Sequence, residues 1–276
     1  MTATVTIGSA IATPTQARGL DRALAGTRPL LRKEFAEWRH GRRAWVTLIV
    51  VTVFMTLTAA NGAITAWIIA NVPDGADAPS VPTSLAPLDN LMAAVGSQIF
   101  VLAAIFAAMS LLVVERERGT LAWVASKPVA RPAIWVAKFV AGATVVSLAA
   151  GLVPLAITVA LVIVLYGAPA LLPVTAMAVG VAAMITLFVA IVLATSAYVA
   201  NQAAVAAIGF AAFALPSIVT AVVPLDIGPY LPTSILPWAV GLATGMPVGV
   251  ATPIAWLASV AALAVVAGRR MESTEL

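Results

Sequence analysis

Long, uninterrupted apolar runs dominate the chain, separated by short polar stretches. Six of them reach the roughly 20 residues that a helix needs to cross a bilayer: Ala44–Ile69, Leu91–Val114, Phe139–Tyr166, Val174–Tyr198, Ala203–Val223 and Val248–Gly268. The runs are continuous and do not alternate, so helices are predicted and not barrel strands. The third run is long enough to tilt, and Pro154 invites a kink there. Pro253 interrupts the start of the sixth. The expected fold class is an all-α membrane protein with six transmembrane helices.

Composition agrees. Of 276 residues, 62% are hydrophobic and 9% charged, with a mean hydropathy of +1.06. A soluble domain carries about 25% charged residues, and one water-soluble core cannot hide this much apolar side chain. The chain has no cysteine and a single histidine, His40. Disulfides, thiolate or histidine metal sites, cysteine nucleophiles and histidine triads therefore lack raw material.

Charge placement sets the expected orientation. All 15 lysines and arginines fall before the first run, between the second and third, or after the sixth. The opposite loops carry only Asp74, Asp77, Asp89 and Asp226. The positive-inside rule then puts both termini and the loop between spans two and three in the cytoplasm, as for a multi-pass protein of a cell (inner) membrane. No acidic or basic residue falls inside these six runs. Transporters driven by protons usually keep a carboxylate there despite its cost, so energy is expected to enter from outside the membrane.

Four regions follow: a disordered cytoplasmic tail over residues 1–26, an interfacial elbow helix over 27–43, a six-helix membrane domain over 44–268, and a cytoplasmic tail over 269–276. Residues 1–16 are rich in Thr, Ala and Ser and lack the basic start and apolar core of a signal peptide. In the elbow, Leu31, Phe35 and Trp38 share one helical face beside Leu30, while Arg32, Lys33, Glu37, Arg39 and His40 fill most of the rest. Lys33 and Glu37 are spaced to pair. The plain reading is a lipid anchor; the sharper one is an elbow that also touches a cytoplasmic partner.

The most informative stretch lies between spans two and three. Glu115, Arg116, Glu117 and Arg118 continue span two as a charged helix, and Gly119 suits its C-terminus. Thr120 can cap a short helix that presents Leu121 and Trp123. After Lys127, Pro128 stops it; Pro132, following Arg131, suits the first turn of the next helix. A mere connector needs only a few polar residues, so this loop is read as a docking element for a soluble protein. Farther on, Pro224, Pro229, Pro232, Pro237 and Pro247 punctuate an outer loop whose apolar pieces are too short to span. They are expected to be re-entrant between helices 5 and 6. Gly241, Gly245 and Gly249 recur every four residues there, though Pro247 breaks that register.

Polar residues inside the spans are few. Asn61 and Gln98, with Thr56 and Thr58 near Asn61, either line a substrate path or bond between helices. Trp67, Trp238, Trp256 and Tyr230 read as interface-belt residues. No Walker A pattern, Gly-x-Gly-x-x-Gly or Gly-x-Ser-x-Gly occurs.

The run Glu115–Leu121, then Ser126-Lys127-Pro128-Val129, Arg131 and Lys138, resembles the first cytoplasmic loop of ABC-2 type transporter permeases. Ala130 stands where that family usually has Ser. Leu31-Arg32-Lys33-Glu34-Phe35 is similar to the family's elbow helix. The resemblance implies a permease subunit, itself not an enzyme, of an ATP-binding cassette exporter. Two copies, as a homodimer or heterodimer, would sit on separate ATPase subunits. The loop helix would be the coupling helix. ATP and Mg2+ would bind the partner ATPase, and this chain would bind no cofactor, metal or nucleic acid. Three other readings compete: a stand-alone secondary transporter or channel, an intramembrane enzyme, and a membrane anchor that moves nothing.

Overall fold

The computed structural model describes residues 26–71, 84–117, 130–222 and 226–273, apart from the side chains of Arg116 and Glu272. Among the described residues there are helices and turns and no strands. Helix α1 covers Thr27–His40, and Gly41, in extended backbone, separates it from α2, Arg42–Ala70. Span two is built from three pieces: α3, Pro87–Gly96; α4, Ile99–Ala108; and α5, Ser110–Glu117. Span three joins α6, Arg131–Val146, to α7, Val153–Tyr166, through a π-helical turn at Ser147–Leu152. Then come α8, Leu171–Tyr198; α9, Gln202–Val222; α10, Ile235–Ala243; and α11, Ala251–Ser273.

Among the described residues six helices are long and apolar enough to cross a membrane, in the order read from sequence. Their ends differ. Span three starts at Arg131, eight residues before its apolar run begins at Phe139 and with Pro132 in its first turn as expected, and the last helix runs past Gly268 to Ser273. Pro253 does not interrupt that helix, because it sits in the first turn, where its missing N–H costs nothing. At Pro154 the helix changes geometry. The proline offers no N–H to Ala150, and the turn just before it widens to π geometry. Span two breaks at Gln98, the one described non-glycine residue with positive φ, at 50°.

Helix α8 is the centre: 61% of its most apolar stretch is buried, against 11% for α11, 17% for α9 and 22% for α2. It packs on α4, α6, α9, α10 and α11. The outer helices leave large apolar side chains uncovered, such as Phe54 and Leu57 on α2, Leu215 and Ile218 on α9, and Leu257 on α11. In water that exposure is costly; it suits faces that meet hydrocarbon or another membrane helix.

The segment leading from α9 to α11 is held tightly over its described residues. Two 3₁₀ turns, Gly228–Tyr230 and Pro232–Ser234, lead into α10. Gly245, at φ 76°, closes α10, with the Met246 amide donating to the Gly241 carbonyl. Three side chains tie this region down. Thr252 Oγ1 donates to the Pro229 carbonyl at 2.7 Å, Trp238 Nε1 to Gly249 at 2.7 Å, and Trp256 Nε1 to Ala183 on α8 at 2.9 Å. Trp238 and Trp256, both half-buried, thus use their indole N–H groups as internal ties. Trp67 and Tyr230 remain exposed.

At Gly180 the helix α10 comes close enough that an added Cβ would lie 2.8 Å from Leu236 Cδ1 and 3.0 Å from its Cα. Gly180→Ala is expected to lower stability by about 1 kcal/mol, since the Leu236 end can give way but its backbone cannot. Gly268→Ala, where nothing lies within 4 Å, is the control. Thermal unfolding of both variants in detergent checks this.

Candidate functional site

The repeat of α1 turns Leu30, Glu34 and Trp38 onto one buried face, four residues apart. That face packs on α6. A glutamate on such a face must find a partner, because an unpaired buried charge is far too costly. Lys138 of α6 supplies it.

Lys138 is 2% exposed and Glu34 3%. Lys138 Nζ lies 2.9 Å from Glu34 Oε1 and 2.9 Å from Glu115 Oε2. The other oxygen of Glu115, Oε1, accepts from Lys33 Nζ at 2.9 Å. Lys33 also lies 3.1 Å from Glu37 and 3.7 Å from Glu34. Each ammonium bridges carboxylates from different helices, and Glu115 engages both. Alongside, the Arg43 guanidinium donates to Ser110 Oγ, joining the start of α2 to the start of α5.

Burial pushes the Glu34 carboxyl above its ordinary range; the charge and hydrogen bond of Lys138 offset this only in part, and Glu115 adds repulsion. For Lys33, burial alone would lower the ammonium. The hydrogen bond and charge of Glu115, then Glu37 and Glu34, outweigh it and raise it. Oxygens of Glu34, Glu37 and Glu115 lie within 4.8 Å of one another, as in a carboxylate metal site. Here the two ammonium groups already occupy the cation's place between them. The cluster is therefore a cross-link. It binds α1, the end of α5 and the first turns of α6 into one unit.

The predicted site residues divide around this cross-link. Glu115 is at its centre. Arg116 and Glu117 continue α5, with Glu117 exposed, and Arg131 opens α6 with Pro132 in the first turn. Arg118, Gly119, Thr120, Leu121, Trp123, Lys127 and Pro128 lie outside the described residues, and so does the tail over residues 1–25. In α1, Trp38 is buried, Leu31 half-buried and Phe35 38% exposed, so the expected shared face of these three is split. The buried stripe runs one residue earlier, through Leu30 and Glu34. Sequence reasoning missed Glu34, although its position four residues from Leu30 and four from Trp38 was the available signal. The expected Lys33–Glu37 pair forms.

Asn61 is exposed on α2, and Gln98 is half-buried at the break between α3 and α4. Thr56 and Thr58 are half-buried on the same helix. Their hydroxyls donate back to Thr52 and Phe54 carbonyls of their own helix, at 2.7 and 2.8 Å.

The family model described as ABC-2 family transporter protein matches residues 28–266. No curated protein matches the chain.

Proposed function

Because the chain belongs to the ABC-2 transporter family, we propose that it is the membrane subunit of an exporter driven by ATP that a separate ATPase chain hydrolyses. The observation that supports this best is the cross-link of Lys33, Glu34, Glu115 and Lys138. It joins α1 to both helices that flank residues 118–129. A push on that loop would then reach spans two and three together with the elbow, and through Arg43 and Ser110 span one as well.

In this reading both termini and the loop face the cytoplasm, as the one-sided lysines and arginines require. ATP and Mg2+ bind on the ATPase. Two permease copies pair, and spans two and five of each line a path between them, toward which Asn61 and Gln98 contribute polar groups. Closure of the ATPases moves the loop, the cross-link carries the motion into the spans, and the path opens outward. The outer α10, tied to α8 and α11, dips into the outer leaflet.

The test is reconstitution in proteoliposomes with the ATPase that co-purifies on a tagged chain. Arg118→Glu is expected to weaken ATPase binding roughly tenfold, the effect of one misplaced charge at an interface, with the thermal midpoint unchanged. Unchanged binding in that variant, or transport by the chain with no ATPase present, would refute the reading.

A further inference from the structure

With Leu30, Glu34 and Trp38 turned into the protein, the opposite side of α1 carries another pattern. Arg28, Arg32, Phe35 and Arg39 fall at i, i+4, i+7 and i+11, a single stripe. All four are exposed. At 1.5 Å per residue the stripe is about 16 Å long. The three carboxylates of the neighbouring cross-link face Lys33 and Lys138, which leaves one formal negative charge there against the stripe's three arginines. Gly41 then turns the chain, and exposed Arg42, Arg43 and Trp45 continue the basic edge. Immediately after them begins the uncovered apolar surface of α2, with Val46, Ile49, Val50, Val53 and Phe54.

We infer that this stripe is a binding surface for anionic phospholipid headgroups of the cytoplasmic leaflet. Charge sets the sign of the partner. Guanidinium groups hold phosphate oxygens through two parallel N–H bonds. Phe35, set between the arginines, offers a ring to the acyl boundary, where an acidic protein surface would offer it nothing. Continuity with the lipid-facing side of α2 places the stripe at the membrane's edge. The helix is thus anchored twice, by a buried face on the protein and a basic face on lipid. The earlier expectation of an apolar lipid-facing side is replaced by an arginine one. The inference rests on the cytoplasmic placement of α1 proposed above, but not on an ATPase.

The full-length chain, delipidated in detergent, is titrated with dioleoylphosphatidylglycerol or dioleoylphosphatidylcholine, and bound lipid is counted by native mass spectrometry. The wild type should prefer the anionic lipid by about tenfold or more, given roughly fivefold per basic residue near an anionic surface. The combined variant Arg28→Gln, Arg32→Gln, Arg39→Gln should lose that preference, and the matching three-lysine variant should keep most of it. In wild type, 1 M salt should abolish it, where the screening length is about 3 Å; this arm needs no variant to fold. No preference in wild type, or full preference in the glutamine variant, overturns the inference. So does a glutamine variant that keeps its lipid and loses only the ATPase, since the stripe would then face protein. A chain that binds anionic lipid and recruits no ATPase would instead sink the proposed function alone.

Discussion

Lys138→Met is expected to destabilise the protein by about 3–5 kcal/mol, the cost of removing one partner from a buried ion pair. Lys138 Nζ is the shared neighbour of Glu34 and Glu115, at 2.9 Å from each. Without it Glu34, 3% exposed, keeps only the 3.7 Å approach of Lys33. Glu34→Gln should cost far less, because burial already disfavours its charged form and the amide oxygen still accepts from Lys138. Glu115→Gln should fall between, since it weakens the bonds to both lysines. Adding Glu34→Gln and Glu115→Gln to Lys138→Met should recover much of the loss, because all-neutral replacements of buried ion pairs are often tolerated. Thermal and denaturant unfolding in detergent gives the order. A Lys138→Met variant as stable as wild type would show that the cluster carries little load.

The pH dependence has a definite sign. The Glu34 carboxyl is raised, so the folded state binds its proton more tightly than the unfolded state. Stability from this group therefore falls as pH rises from the ordinary glutamate value through the raised one, and Glu34→Gln removes that slope. Lys33 is also raised. Its contribution is fully present below the ordinary lysine value and is lost as pH climbs through the raised one.

The six spans were legible because an apolar run of bilayer length has few other uses. Lys138 was less legible. Residues 131–138 carry Arg, Pro and Lys; Pro132 marks them as the opening of a helix, but nothing local says that Lys138 is buried. In the fold, Pro132 opens the helix and Lys138 is neutralised across to α1, so the segment is the first two turns of span three. Glu34 hid for the same reason. Periodicity counts a glutamate as solvent-facing, while a lysine from another helix, 104 residues away, makes it internal. The partner in such a pair leaves no local trace; only the register of Glu34 with Leu30 and Trp38 pointed to its burial. The break at Gln98 likewise has no proline or glycine at the turning residue itself. The loop chemistry that carried the family resemblance belongs largely to residues 118–129, outside the described ones, so the structure speaks to it through its two flanks.

Gly62→Val is expected to cost about 3 kcal/mol, at the upper end for overpacking. Gly62 sits where α2 meets the segment before α3. A Cβ there would lie 2.8 Å from the Ser84 carbonyl oxygen, 2.8 Å from Asn90 Oδ1 and 3.2 Å from the Tyr166 hydroxyl. None of the three moves cheaply. The Ser84 carbonyl is backbone, and Asn90 Nδ2 donates to Ser84 and Ala86 carbonyls, both at 2.9 Å. Tyr166 is held by α2 itself. Its hydroxyl donates to the Ala59 carbonyl at 2.9 Å and accepts from the Ala63 amide at 2.8 Å, two groups that bond to each other in a regular α-helix. The phenolic oxygen of Tyr166, from α7, is thus placed in the ladder of span one, a known way to bend a helix. Tyr166→Phe should therefore be mild, below about 1 kcal/mol, because Ala59 and Ala63 can then satisfy each other. The contrast is the test. If Tyr166→Phe proves as damaging as Gly62→Val, the hydroxyl is a required strut between spans one and three; if Gly62→Val proves harmless, the close approach around Gly62 is absent in the membrane.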